Sequence, residues 1–385
     1  MDTVRIGIVG TGGMGSYHAT YIQKGEIPNA RLVAVCDVAP DRLKWAKESL
    51  GEGILAFESA DALFEAKAVD AILIGTPHYF HPPIAVKAFE HGLHVLSEKP
   101  AGVYTRQVRQ MNEAAARSGK VFSIMFNQRT VGVYQKLKEL MDSGELGEMR
   151  RTIWLITSWY RAQSYYDSGG WRATWAGEGG GVLINQCPHN LDLWQWTCGM
   201  PRRVRAFCSF GKYHNIEVED EATAYLEYPS GATGLFVTTT GDAPGTNRLE
   251  ISGDNGKIVV EGSTLTFWRT RTPVSRHIRE FKGGFGEPEC WKCEVPVRSG
   301  GGGHQAITKS WVDAILRGAP LIVRGEDGIN SLQISNAMLL STWTDSWVDI
   351  PVDEDLFCAK LKERVETSTR QKAGQGKTMS VEGTF

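Results

Sequence analysis

The chain has 385 residues, 42% of them hydrophobic and 22% charged, the balance of a globular protein of two or three domains that buries a sizeable core. Its 42 Lys and Arg against 44 Asp and Glu leave a formal charge of −2. So weak an overall field does not draw a protein to nucleic acid or to an anionic membrane, and the expected partner is a small molecule. No stretch approaches the roughly 18 uninterrupted apolar residues of a membrane span. The first strand-like run, Val4 to Val9, follows no signal-type core, so a cytoplasmic protein is expected. Seven cysteines are an odd number in a long chain, which favours reduced thiols over a disulfide framework. Cys290 and Cys293 form one close pair, but no second pair at similar spacing completes a zinc site, and no metal is expected.

From residue 4 to about 125, short β-branched runs alternate with helical patterns. Strands are expected at Val4–Val9, Arg31–Cys36, Ala71–Ile74, His94–Leu96 and Val121–Met125. Between them, Met14–Gln23, Asp41–Leu50, Pro82–His91 and Thr105–Ser118 carry apolar residues at three- and four-residue spacing. This is the grammar of βαβ units on a parallel sheet. After a linking helix near Val131–Ser143 the grammar changes to consecutive strands at Met149–Ser158, Arg203–Phe210, Glu219–Tyr228, Thr233–Thr240, Arg248–Ser252, Lys257–Val260 and Thr264–Arg269. Turn signals such as Asp254-Asn255-Gly256 make that sheet largely antiparallel. One long helix is expected at about Val182–Cys198, and two more at Gln305–Arg317 and Asn330–Ser346. From about residue 354 the periodicity is lost, and the stretch through Gln371 to Lys377 reads as an exposed arm or frayed tail. The fold class is therefore α/β: an N-terminal Rossmann dinucleotide-binding domain over residues 1–127, an α+β domain with a largely antiparallel open sheet over 128–353, and a C-terminal arm over 354–385.

The first strand runs directly into Gly10, Gly12, Gly13, Met14 and Gly15 and then a helix, the Gly-x-Gly-x-x-Gly turn of dinucleotide binding. Gly10 permits the tight turn, Gly12 lets the backbone approach a pyrophosphate, and Gly15 lets helix and strand pack closely. Free amides at the helix start face the anion. Asp37 stands 22 residues past Gly15, at the end of the second strand, where a carboxylate binds the ribose hydroxyls and repels a 2′-phosphate. The expected cofactor is NAD rather than NADP, with Arg42 the nearest cation to oppose that choice.

Further motifs carry a family resemblance. Gly75-Thr76-Pro77 with His81, Ser97-Glu98-Lys99-Pro100, and Gly179 to Gly181 leading to Asn185 and His189, together with the opening turn, resemble the glucose-fructose oxidoreductase, inositol dehydrogenase and MocA family over roughly residues 3 to 350. The Glu-Lys-Pro element after a Rossmann strand is the most specific of these marks. The resemblance implies hydride transfer on a sugar, cyclitol or related polyol, and a homo-oligomer built through the open sheet. It places Glu98 beside the nicotinamide ribose, Thr76, Pro77 and His81 along the cofactor, and His304 in the pocket.

Residue chemistry supports two proton-transfer groups. Lys99 stands just beyond a strand's carboxyl end, where open parallel sheets bind ligands. A lysine partly desolvated there, close to a nicotinamide cation, loses its charge readily and can exchange a proton with a carbinol oxygen. His189 is expected to donate or accept a proton near neutral pH, sharing a helical face with Asn185 if the turn is helical through Pro188. Many family members carry aspartate where this chain has Asn185, and an amide orients hydroxyls without titrating. Six of the twelve tryptophans fall between Trp154 and Trp196. Among them Trp154, Trp194 and Trp196 suit the core, whereas Tyr160, Arg161, Tyr165, Tyr166, Trp171 and Arg172 are expected in a loop that binds substrate, with aromatic faces for sugar rings and arginines for hydroxyls, carboxylates or sulfonates.

Three functions are compatible with these parts. The first is an NAD-dependent dehydrogenase acting on a secondary alcohol of a sugar or cyclitol. The alternative is a glycosidase that retains NAD and cleaves by oxidation, elimination, hydration and reduction. A sensor that binds NAD without turnover would not need both Lys99 and His189.

Overall fold

The computed structural model describes residues 2–298 and 300–369. Six strands, β1 (Val4–Val9), β2 (Ala30–Cys36), β3 (Leu55–Phe57), β4 (Ala71–Ile74), β5 (His94–Ser97) and β6 (Phe122–Ile124), form one parallel sheet in the order β3-β2-β1-β4-β5-β6. Helices cover it, so Ile6, Ile8, Ile72, Leu73, Val95 and Leu96 are fully buried, and the strands read as near-continuous apolar runs rather than alternating ones. The strand order reverses between β1 and β4, which opens a crevice at the carboxyl ends. Strand β3 and the helix Ala60–Glu65 were not legible, being three and six residues long.

The second sheet has nine strands: β7 (Met149–Ile156), β8 (Arg203–Phe210), β9 (Glu219–Glu227), β10 (Thr233–Thr239), β11 (Asn247–Gly253), β12 (Gly256–Glu261), β13 (Thr264–Thr270), β14 (Cys290–Glu294) and β15 (Val348–Asp349). Their order is β14-β13-β12-β11-β7-β10-β9-β8-β15. Among the described residues of this sheet only β7 and β10 pair in parallel; the other ladders are antiparallel. Helix Gly328–Thr344 closes the β8 edge, where Ser341 Oγ and Thr342 Oγ1 accept the amides of Ala206 and Cys208, each at 3.0 Å. Trp154 and Trp194 lie in the core, with Trp194 stacked on Phe236 at 5.1 Å. Trp196 is only partly buried and sits 5.3 Å from the Arg129 guanidinium.

Two expectations are corrected. The helix expected over Val182–Cys198 is two helices, Val182–Asn185 and Pro188–Cys198, because Pro188 has no amide to continue the first and instead opens the second. Residues 354–366, expected to begin an aperiodic arm, form a helix that Asp353 caps by accepting the Leu356 amide at 2.9 Å. That helix buries Phe357 and Leu361. The stretch from Gln371 to Lys377 lies outside the described residues. Helix Gly303–Arg317 reaches back to the Rossmann domain, where the Thr308 hydroxyl lies 2.7 Å from that of Tyr21 on helix Gly13–Gln23.

Candidate active site

Strand β1 enters helix Gly13–Gln23 through a loop that only glycine can make. Gly10 has φ +88°, and a Cβ on Gly15 would stand 1.8 Å from the Gly10 carbonyl, so any side chain there forces strand and helix apart. A Cβ on Gly12 would meet nothing within 4 Å, which leaves the loop's outer face open. No side chain caps this helix, so the amides of Gly13, Met14 and Gly15 remain for an anion. Past β2, Asp37 Oδ2 accepts the Thr11 amide at 2.7 Å and its hydroxyl at 3.0 Å, while Oδ1 accepts the Ala39 amide at 3.0 Å. The carboxylate is thereby fixed against the glycine loop. Arg42 donates from Nε to the Thr11 carbonyl at 2.7 Å, which ties its charge to the same loop. At the end of β4, Thr76 Oγ1 is buried with no partner. An open loop, uncapped amides, a fixed carboxylate and an unused hydroxyl fit a dinucleotide.

His81 spans two loops. Its ring is buried, with Nδ1 2.8 Å from the Pro100 carbonyl and Nε2 2.7 Å from the Thr76 carbonyl. Both nitrogens are thus spent on backbone, and the ring is a strut between the β4 and β5 loops. Pro77 begins the turn His78–Phe80.

Lys99 follows β5, and its Nζ donates to the Asn185 carbonyl at 2.8 Å. Burial lowers its pKa below the ordinary amine value, with Arg172 and Arg161 acting in the same direction and Glu98 and Glu178 opposing. Glu98 is turned to His18, whose Nε2 lies 2.7 Å from Oε1. Burial alone would raise this carboxyl, but the hydrogen bond and charge of His18 hold it down to about 2. The same histidine continues through Tyr21 at 2.6 Å to Thr308, so Glu98 anchors a buried network joining both helices.

His189 is the second residue of helix Pro188–Cys198 and faces the Phe126 ring at 6.0 Å. Its Nδ1 is buried with no partner. Burial, followed by the Lys99 charge, holds its pKa well below 6.5. The expectation of a group titrating near neutral pH is therefore corrected: His189 is neutral there. His304, in the first turn of helix Gly303–Arg317, is held by burial at about 4. The Lys99 charge lowers both His189 and His304, and His304 lowers His189 further.

Asn185 and His189 lie on separate helices, because the chain breaks before Pro188. The Asn185 amide donates to Glu178 Oε1, while Glu178 Oε2 accepts the Ala173 amide at 2.6 Å. Glu178 is buried and was not anticipated; its one signal is its place immediately before Gly179. His78 was also missed: its Nδ1 lies 3.1 Å from the Glu178 carbonyl and its ring 5.0 Å from Trp171. Tyr165 and Tyr166 belong to a short helix, Gln163–Asp167, rather than to a loop. Tyr166 is buried with its hydroxyl 2.7 Å from Thr240, which makes it part of the wall. Tyr165 is only partly buried and meets Arg172 and Gln186 through its hydroxyl, at 2.7 and 3.0 Å. Tyr160 is half exposed, and its carbonyl accepts from Arg161 Nη1 at 2.8 Å.

A buried ion cluster sets the His189 helix. Arg129 grips Asp192 through Nε at 2.7 Å and Nη2 at 2.6 Å, and reaches Asp327 through Nη1 at 2.8 Å. Asp192 is fully buried, so removing it leaves a buried guanidinium with half its charge partners. Asp192→Ala is expected to cost about 3–5 kcal/mol of stability, measured by urea denaturation; a loss under about 1 kcal/mol would show that the cluster does not hold the helix.

Comparison with known proteins identifies the family. Residues 4–126 match the oxidoreductase family with an NAD-binding Rossmann fold, and residues 134–259 match the GFO/IDH/MocA C-terminal domain. The chain is 30% identical over 349 residues to the inositol 2-dehydrogenase of Rubrobacter xylanophilus, a match covering 88% of this chain and 91% of that one. It is 27% identical over 342 residues to the myo-inositol 2-dehydrogenase of Thermotoga maritima, covering 87% and 95%. The WlbA dehydrogenase from Bordetella pertussis, solved with NADH and UDP-GlcNAcA, matches with a TM-score of 0.77 and 25% identity over 91% of this chain and 100% of that one. The chain belongs to the Gfo/Idh/MocA oxidoreductase family, and its N-terminal domain is an NAD-binding Rossmann domain.

Proposed function

We propose that this protein is an NAD-dependent dehydrogenase acting on a secondary alcohol of a sugar, cyclitol or sugar derivative, with Lys99 as the general base and His189 beside it. The observation that carries the reading is Lys99 itself: a partly buried amine with a lowered pKa, past the carboxyl end of β5, held by the Asn185 carbonyl at 2.8 Å. When bound, NAD supplies the hydride acceptor. The chain's own residues manage the proton. Lys99 Nζ takes it from the substrate hydroxyl, and neutral His189 orients that hydroxyl by hydrogen bonding. Asn185 and Glu178 fix the lysine through the Asn185 backbone.

Polyol relatives in the family support this reading over the glycosidase alternative, and no feature of the site favours the latter. A screen of sugars and glycosides reading NADH and released aglycone tests it: net NADH with no aglycone is expected, and product without net NADH would overturn it. The site reads as specific for NAD over NADP because Asp37 faces the glycine loop while Arg42 is bound to that loop's backbone. Asp37→Ser is expected to weaken NAD roughly 10- to 100-fold and to narrow its margin over NADP, read by calorimetric titration. Equal affinity of the unaltered protein for both cofactors would refute the assignment. Phe207, Tyr225 and Trp268 are exposed on β8, β9 and β13, an apolar sheet face that supports assembly into a homo-oligomer.

A further inference from the structure

We infer that the substrate is a sugar acid, and that Arg161 and Arg172, which share the Tyr165 ring, hold its carboxylate beside Lys99. This rests on the dehydrogenase reading and narrows its substrate class. The Arg172 guanidinium lies 4.5 Å from the centre of the Tyr165 ring and 4.5 Å from that of Trp171. Arg161 lies 5.1 Å from the same Tyr165 ring and 5.7 Å from Trp159. Both cations are therefore preorganised by aromatic faces rather than extended into solvent. Arg172 is also connected to the reacting centre. From Arg172, contacts run at 3.9 Å to Glu178, from Glu178 to the Asn185 amide, and from the Asn185 carbonyl at 2.8 Å to Lys99.

The charges around this chain of contacts do not balance. Arg161 and Arg172 are two permanent cations, and Glu98 is committed to His18. Glu178 remains, but its oxygens are engaged by the Asn185 and Ala173 amides and it approaches Arg172 only to 3.9 Å. Among the described residues Arg161 has no carboxylate within ion-pair distance. Two guanidiniums on one ring repel each other, and in a partly desolvated pocket that repulsion is relieved by a bound anion. A planar carboxylate matches the guanidinium fork, whereas a neutral polyol leaves Arg161 without a counter-charge and Arg172 with only the 3.9 Å contact to Glu178.

The test compares matched pairs, D-glucuronate with D-glucose, D-galacturonate with D-galactose, and their methyl glycosides. NADH formation and, separately, affinity for the NADH-loaded protein by fluorescence quenching are read for each. The acid is expected to exceed its neutral partner roughly 10- to 100-fold in kcat/KM and in affinity. Arg161→Met and Arg172→Met are each expected to bring that ratio towards one, and Arg172→Lys to restore part of it. Acids that bind tightly but yield no NADH would support the carboxylate subsite and sink the dehydrogenase reading. Neutral partners turned over as well as acids would sustain the dehydrogenase and overturn the subsite. An affinity ratio near one across the panel, or one unchanged by both methionine variants, would also overturn it.

Discussion

Lys99→Ala is expected to lower kcat by roughly 10² to 10⁴, the scale of a lost general acid/base group, while leaving cofactor affinity nearly unchanged. The separation follows from where the lysine's atoms are spent. Its Nζ is held by the Asn185 carbonyl, and its charge is coupled to Arg161, Arg172, His189 and His304, whereas the glycine loop and Asp37 are tied to each other through Thr11. Lys99→Arg separates charge from basicity. Arginine keeps the positive charge but does not give up its proton, so it is expected to be as inactive in alcohol oxidation as the alanine variant. Single-turnover absorbance at saturating substrate, with NAD titrated calorimetrically, measures both quantities. Turnover within a few fold of the unaltered enzyme in either variant would mean that the proton leaves by another route.

Much of this site was legible in the sequence because local rules fix it. The parallel order of the first sheet follows from alternating β and α runs, and the glycine loop from a steric requirement that the structure shows directly at Gly10 and Gly15. Lys99 was singled out through the Glu-Lys-Pro motif of the family resemblance, with its place just beyond a parallel strand, a ligand position, in support. What local pattern cannot convey is where a buried side chain finds its partner. His81 carries a motif position, yet both its nitrogens go to carbonyls from two loops, a fact of tertiary contact alone. Tyr166 and Tyr165 are adjacent, but a one-turn helix sends the first to the wall and leaves the second beside Arg172.

Asn185 shows the same limit from the other direction. Its amide appears in the sequence as the loss of a carboxylate, but Glu178 brings one to it from seven residues away. The break at Pro188, which the proline itself announces, separates Asn185 from His189 and lets the Asn185 carbonyl meet Lys99. The helix Glu354–Glu366 escaped notice for an energetic reason: its apolar contacts are few, with Phe357 and Leu361 supplying its buried face.

The pH dependence of the reaction is expected to follow Lys99 and not His189. Alcohol oxidation requires the base unprotonated. The Lys99 pKa is lowered below 10.5, first by burial, so the amine is neutral over a wider range than an ordinary lysine. Log kcat/KM for oxidation should then rise with about unit slope, tenfold per pH unit, up to that lowered pKa and level above it. Carbonyl reduction requires the ammonium, so its profile is the mirror image, flat below the same pKa and falling above it. His189 contributes no limb near neutrality, because burial and the Lys99 charge keep it neutral there. His189→Ala is accordingly expected to lower kcat roughly 10²-fold or more while leaving the limb within a fraction of a unit of its original position. Profiles of both directions for the two enzymes decide the matter. A limb near 6.5 that disappears with His189 would make the imidazole the titrating base, and Lys99 would then be a fixed positive charge.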